Sequence, residues 1–275
     1  MSALAGNGKK WLIGCGVGCG ALTVLMILLA VGGGFLMMRP YNEAVEHQKE
    51  LQVRFGVRED YVPPPDGITP DRIKAFLTVR AEMMHHCRQF EEITDSFRQM
   101  DELDRGEGDP PVGEVLKGVG NVMGAAFSIA GEIGALQNSR NNELLKNGMG
   151  LGEFTWIHVL AYHSWLGHPP NTGIDSPSGE GFSGREQAVI RQLMQNHARA
   201  LEEVGRHQEA SLWRDESERL YRSEGGAPFA AGDLPAEITA QLIPYRAKFD
   251  ATYCPAMAGF ELGRIQKKGL SIHSE

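Results

Sequence analysis

The chain lacks the short motifs that mark the familiar enzyme classes. It has no phosphate-binding Walker loop, no His-Glu-x-x-His zinc motif, no Gly-x-Ser-x-Gly nucleophile elbow and no Cys-x-x-Cys pair. The paired Glu-x-x-His motifs of di-iron helical bundles are absent too. No run of alternating apolar and polar residues indicates a β-strand, and no internal repeat is present. The sequence therefore predicts an all-α protein and indicates neither a reaction nor a cofactor.

Charged side chains are missing from Trp11 to Met38. As a helix, this stretch would reach about 42 Å, more than the hydrocarbon core of a bilayer at about 30 Å. Lys9 and Lys10 precede it and Arg39 follows it, as is typical of the flanks of a membrane span. We therefore expect a single transmembrane helix at residues 11–38, inserted in the lipid bilayer.

Three interpretations of residues 11–38 compete. A cleaved signal peptide fits the small residues Ala30 and Gly32, but the apolar run continues beyond them. A lipoprotein signal at Cys15 has the wrong order, since the long apolar run follows the cysteine instead of preceding it. We favour an uncleaved signal anchor, with residues 1–10 as a cytoplasmic tail and the large domain outside. The basic flanks are nearly balanced, so this orientation depends on the short, signal-like N-terminal region.

The part of the chain after residue 38 is acidic. The first 38 residues hold two of the 27 basic side chains and none of the 35 acidic ones, so residues 39–275 carry a net charge of −10. This charge argues against binding to nucleic acid and against adsorption to an anionic lipid surface. The chain has no Asn-x-Ser/Thr glycosylation signal, which suits a bacterial envelope better than a eukaryotic secretory route.

Cysteines are few, and only two of the four lie in the large domain. Cys15 and Cys19 belong to the predicted membrane helix, whereas Cys87 and Cys254 lie far apart in the chain. In an oxidising compartment such a pair often forms a disulfide. A Cys87–Cys254 disulfide and a pair of free thiols are equally consistent with the sequence.

The remaining chain divides at a proline-rich stretch. Residues 39–68 are predicted to form a membrane-proximal helix, ended by Gly56, and an extended linker that acts as a spacer. Residues 69–275 are predicted to form a helical-bundle domain. Its expected helices cover about 69–103, 112–147, 151–166 and 185–222, followed by shorter helices from Pro235 onward.

The candidate binding residues lie on or near the helix predicted at 151–166, which is apolar around nearly its whole circumference. Glu153 and His158 are among its few polar residues, and Tyr162 shares a face with His158. Arg80 lies within the apolar stripe of an earlier helix. Buried polar groups need partners, since leaving one unpaired costs about 1–3 kcal/mol. An Arg80–Glu153 pair would meet that need structurally, and a pocket lined by these four residues would bind a small ligand. The spacing of Glu82 and His86 suits a metal, but we interpret this pair as part of a solvated face.

Two functions are consistent with these patterns. The favoured one is a non-enzymatic, membrane-anchored interaction or scaffold protein of the cell envelope, with its large domain periplasmic or extracytoplasmic. It would bind another envelope protein through the glycine-rich helix near residues 118–136, the loop at 167–184 or the membrane helix. The alternative is a helical bundle that binds a small ligand or metal next to helix 151–166.

Overall fold

The computed structural model describes residues 41–104, 131–170, 181–223, 226–229 and 233–263, with side chains omitted at 96–104. These residues form an all-helical bundle without a β-strand, which confirms the all-α part of the predicted fold. Within the same ranges, no helix combines the length and apolar character that a bilayer crossing requires. The predicted membrane helix at residues 11–38 lies outside the described residues.

The first helix among the described residues, α1 (residues 41–55), belongs to the bundle. Ala44 and Leu51 are buried in the core, and Asn141 donates a hydrogen bond of 3.1 Å from Nδ2 to the Ala44 carbonyl. Gly56, at φ 79°, ends the helix as predicted. Helix α1 is therefore held by the domain that follows it.

Residues 57–68, here called the strap, lie along a later helix of the bundle. The strap begins with a 3-10 turn at Arg58–Asp60 and continues as the predicted extended, proline-rich segment. Asn196 donates from Nδ2 to the carbonyls of Glu59 and Tyr61, both at 2.9 Å. The prolines fix the extended backbone, as expected, but backbone carbonyls of the strap accept hydrogen bonds from the bundle. The sequence suggested that this segment is a free spacer, whereas in the structure it is bound to the bundle.

Helix α2 (Pro70–Met83) continues through a 3-10 turn (Met84–His86) into α3 (Cys87–Asp104). The proline at the start and the length of the whole segment agree with the prediction of one helix over about 69–103. Helix α4 (residues 131–146) is the described part of the helix predicted at 112–147. The glycine-rich part of that prediction before residue 131 lies outside the described residues.

Helix α5 (Leu151–His158) passes directly into a π-helix (Val159–Trp165), and the two together form the most buried segment of the bundle. Among residues 151–164 only Glu153 is not fully buried. The nearly complete apolar circumference predicted this burial correctly. The wider π-helical turn has no signature in the sequence and was not predicted.

Helices α6 (Gly184–Glu203) and α7 (His207–Arg222) form an antiparallel hairpin. Ser183 and Glu186 make a capping box at the start of α6. Gly205, at φ 78°, reverses the chain between the two helices, and an ion pair of Arg214 with Glu202 joins them. The sequence predicted one long helix over about 185–222, and the structure shows two helices with a complete reversal at Gly205.

The C-terminal part consists of short helices: α8 (Ala236–Leu242), a 3-10 turn (Ile243–Tyr245), α9 (Arg246–Ala251) and α10 (Pro255–Glu261). A disulfide joins Cys87, at the start of α3, to Cys254, directly before α10. This bond and the polar contacts described below attach α10 to the core.

Candidate functional site

The polar centre of the bundle is built around Arg80 on α2, which is completely buried. Its Nη1 atom lies 2.5 Å from Oε1 of Glu261 at the end of α10, and the Glu261 side chain is equally inaccessible. Arg80 also donates from Nε and Nη2 to the carbonyl of Thr252, at 3.2 and 2.5 Å. Burial alone would lower the pKa of Arg80, but the Glu261 carboxylate raises it above its usual value, so the guanidinium stays charged.

Tyr162, in the π-helix, covers one side of this ion pair. The Arg80 guanidinium carbon lies 5.2 Å from the centre of the Tyr162 ring, within range of a cation–π contact. The Tyr162 hydroxyl shares a hydrogen bond of 2.8 Å with Oγ1 of Thr252. Burial raises the pKa of Tyr162, so the phenol is neutral and its polar atom is used inside the core.

His158 completes the set, which we call the Glu261 cluster: Arg80, His158, Tyr162, Thr252 and Glu261. The His158 Nδ1 atom lies 3.5 Å from Oε2 of Glu261, and its ring packs 5.0 Å from that of Tyr162. Burial, followed by the charge of Arg80, lowers the pKa of His158 well below its ordinary value. His158 is therefore neutral at pH 7, and Arg80 is the group that balances the charge of Glu261.

Two further buried arginines hold the end of α10. Arg140 on α4 donates to the carbonyls of Glu261 and Gly263, the second at 3.0 Å. Arg58 in the strap donates to the carbonyl of Leu262 at 2.6 Å. The last carbonyls of a helix have no partner within it, and cations stabilise that end of the helix dipole. Three arginines from separate elements thus position the segment that carries Glu261.

The structure places Glu153 away from the Glu261 cluster. Its two carboxylate oxygens accept hydrogen bonds of 2.6 Å from Arg72, one from Nε and one from Nη2, beside Tyr61 of the strap. The suggested Arg80–Glu153 pair is therefore wrong. Arg72 precedes Arg80 by eight residues, about 12 Å along α2. Glu153 at the start of α5 lies beside the start of α2, whereas Arg80 lies beside Tyr162 in the π-helix that follows α5.

Glu261, Thr252 and Arg140 were not among the residues singled out from the sequence. One signal was available: Glu261 is the only charged residue between Tyr253 and Gly263, in a segment otherwise rich in apolar and small residues. An acid in such a segment needs a buried cation. The sequence does not show which of its 27 lysine and arginine side chains pairs with Glu261.

Potential metal donors gather elsewhere. Within the described ranges, the one group of three cysteine, histidine or carboxylate donors lying within 4.8 Å of one another is Cys87, Glu91 and Cys254. His86 is buried, with Nδ1 3.8 Å from Oε2 of Glu132 on α4. The expected solvated face is therefore correct for Glu82, which is exposed, and not for His86.

Fold and site together define an all-helical bundle with a charged cluster closed inside its core. Compared with family models, with curated proteins and with solved structures, the chain has no significant match. Its function is therefore inferred from its own residues.

Proposed function

We propose that the protein is a membrane-anchored interaction or scaffold protein of the cell envelope, with its helical bundle outside the cytoplasm. The observation that carries this proposal is the closure of the Glu261 cluster. The polar groups best suited to bind a ligand are Arg80, His158 and Tyr162, and all three are buried. Arg80 and His158 lie beside the Glu261 carboxylate, and Tyr162 packs against both of them. They hold α2, α5 and α10 together, which is a structural task.

The Cys87–Cys254 disulfide supports the extracytoplasmic side of the proposal. Disulfides persist in oxidising compartments such as the bacterial periplasm and are rare where thiols are kept reduced. The charge-free segment 11–38 supplies the proposed anchor. In this proposal the bundle lies close to the bilayer, because α1 and the strap, which follow the proposed anchor in the chain, both pack against the bundle.

The proposed partner is another envelope protein. Contact would involve the glycine-rich segment 118–136, the loop 167–184 or the membrane helix. Small residues at 14, 16, 18 and 20 permit close approach of a second helix within the bilayer, and those of 118–136 permit it outside.

The anchor and its orientation are tested together by fractionation and protease accessibility of the intact chain. The proposal expects the full-length protein in the membrane pellet after an alkaline carbonate wash. It also expects protease added to spheroplasts to digest the region after residue 40. Recovery of the intact chain in the aqueous supernatant would overturn the anchor. Protection of the bundle in sealed spheroplasts would overturn the orientation alone.

The partner is tested by affinity purification from detergent-solubilised membranes with a C-terminal tag. We expect one envelope protein to copurify in stoichiometric amount and to be lost when Gly118, Gly120 and Gly124 are replaced by leucine. Gln208→Leu, an exposed change on α7 outside all three candidate segments, is the control that retains the partner. Failure of any protein to copurify stoichiometrically would contradict the proposal.

One observation favours the alternative of a ligand-binding bundle. Tyr162 and His163 lie in a π-helix, and π-helical turns occur frequently at functional sites. The alternative expects native mass spectrometry of the purified protein to show a bound small molecule or metal that His158→Phe abolishes. A ligand-free mass for the folded wild-type protein would exclude it.

A further inference from the structure

Cys87, Glu91 and Cys254 form a second cluster at the surface of the bundle, between α3 and the start of α10. Cys87 and Glu91 are one helical turn apart and lie on the same face of α3. Cys254 approaches from the other side and is buried, whereas Glu91 is exposed. The three donor atoms lie within 4.8 Å of one another, so the cluster has a protein side and an open, solvent side.

The distances in this cluster fit a tetrahedral cation. With metal–sulfur bonds of about 2.3 Å and metal–oxygen bonds of about 2.1 Å, tetrahedral geometry places a sulfur and an oxygen ligand about 3.6 Å apart. The observed distance between Cys87 Sγ and Glu91 Oε1 is 3.5 Å. The carboxylate thus already has the position that a metal bound to the Cys87 sulfur would require.

The Cys254 sulfur can also reach a position suited to the metal once the disulfide is reduced. Two thiolates on one zinc ion are about 3.8 Å apart. The α-carbons of Cys87 and Cys254 are 5.9 Å apart, a separation that rotation about the side-chain bonds converts into that distance without movement of the backbone. The fourth position faces solvent beside the exposed Glu91 and suits a water molecule.

We propose that the dithiol form of the protein binds a divalent cation of the zinc class through Cys87, Cys254 and Glu91. The disulfide and the metal-bound form are then alternative states of one link between α3 and α10. A dithiol reductant interconverts them by thiol–disulfide exchange: the protein disulfide accepts two electrons and two protons, and the reductant becomes a disulfide. Each protein thiol releases its proton when its sulfur binds the cation, which does not change its oxidation state.

Glu91 has a contact that its neighbour does not share. Glu92 accepts a hydrogen bond of 2.9 Å from Arg88 on the outer surface of α3, whereas Glu91 is directed to the Cys87 sulfur. A carboxylate beside two thiols disfavours their ionisation unless a cation is present, and a bound cation reverses that effect. Glu92 therefore provides a matched control on the same turn of the helix.

This inference does not depend on the membrane assignment. In a reducing compartment the link would be made by the metal, and in an oxidising one by the disulfide. The state of the link in freshly isolated cells would then report the compartment of the bundle.

The test uses the full chain in detergent with Cys15 and Cys19 changed to serine, so that Cys87 and Cys254 are the only thiols. The protein is reduced with a phosphine, freed of excess reductant under anaerobic conditions and titrated with Co²⁺ as the probe. We expect one Co²⁺ per chain, thiolate-to-cobalt charge-transfer absorption and the visible bands of tetrahedral coordination. Glu91→Gln should weaken binding at least about tenfold, and Glu92→Gln should leave it unchanged.

Two measurements keep the test independent of folding defects. The Glu91→Gln variant retains both cysteines, so its oxidised form serves as a folded reference by circular dichroism. Zn²⁺ should also slow alkylation of Cys87 and Cys254 in the reduced parent protein. The proposal is overturned if the reduced protein binds no stoichiometric Co²⁺, if Glu91→Gln binds as tightly as the parent, or if the oxidised protein binds equally well.

Discussion

Arg80 and Glu261 form an ion pair whose side chains expose no surface to solvent, with Nη1 and Oε1 separated by 2.5 Å. Removing two charges from water costs several kcal/mol per ion, so such a pair adds little net stability. The pair acts mainly by positioning α10. If α10 packed elsewhere, Arg80 or Glu261 would be a buried charge without a partner. Together with the arginine contacts to residues 261–263, the pair determines where α10 packs.

Loss of the carboxylate should therefore be costly. We expect Glu261→Gln, which leaves the buried Arg80 without its counter-charge, to lower the free energy of unfolding by about 3–5 kcal/mol in urea denaturation of the full chain. Glu92→Gln removes an exposed pair with Arg88 and should cost less than about 1 kcal/mol. Equal costs for the two variants would show that the buried pair does not position α10.

Replacing both Arg80 and Glu261 shows whether the ion pair mainly positions α10 or also adds net stability. We expect Arg80→Leu combined with Glu261→Leu to cost clearly less than the sum of the two single changes, since no charge is then left buried alone. The measurement is a double-mutant cycle of urea unfolding. Additive costs would contradict the pairing seen in the structure.

The sequence allowed the local features of this fold to be predicted and not its long-range contacts. Gly56 indicated correctly where α1 ends, since its backbone preference acts locally. The apolar circumference around Phe154 and Trp156 indicated the buried helix for the same reason. Arg80 was expected to need a partner, but Glu261 lies 181 residues away in the chain. Only the tertiary packing of α2 against α10 determines that choice.

Buried histidines should make stability depend on pH. Burial lowers the pKa of His163 to about 4, and that of His158 falls well below its ordinary value. In the unfolded chain both have a pKa of about 6.5. Between about pH 6.5 and 4 the unfolded state therefore binds more protons, so stability that is fully present above pH 6.5 is lost as the pH falls, by up to about 1.4 kcal/mol per pH unit for each histidine.

His163→Asn tests this dependence. The asparagine amide can replace the Nδ1 contact with the His168 carbonyl, which is 2.9 Å long, but it does not titrate. Urea unfolding between pH 4.5 and 7.5 should show a shallower loss of stability for this variant. Gln208→Ala, an exposed change, is the control and should keep the slope of the parent. An unchanged slope in His163→Asn would refute the assignment of this residue as a buried neutral histidine.

The disulfide should contribute through the entropy of the unfolded chain. A disulfide typically stabilises the folded state by about 2–4 kcal/mol, and the 167-residue separation of Cys87 and Cys254 favours the upper end of that range. We expect a phosphine reductant, with a chelator present to exclude metal, to lower the urea midpoint of the parent. The Cys87→Ala/Cys254→Ala variant should not respond to the reductant. A parent protein whose midpoint is insensitive to reduction would mean that the two cysteines are not bonded in the folded chain.

Docking of the strap should depend on a glycine in α5. A β-carbon added at Gly152 would lie 2.4 Å from Cβ of Tyr61 and 2.5 Å from the carbonyl oxygen of Arg58, and the backbone contact cannot be relieved by side-chain rotation. We expect Gly152→Ala to cost about 1–3 kcal/mol and to increase amide hydrogen exchange in residues 57–61. Gly184→Ala, at an exposed site with open space around it, should change stability by less than about 0.5 kcal/mol and leave exchange in the strap unchanged. If Gly152→Ala behaved like this control, residues 57–61 would not pack against α5, and the spacer interpretation of the proline-rich segment would be restored.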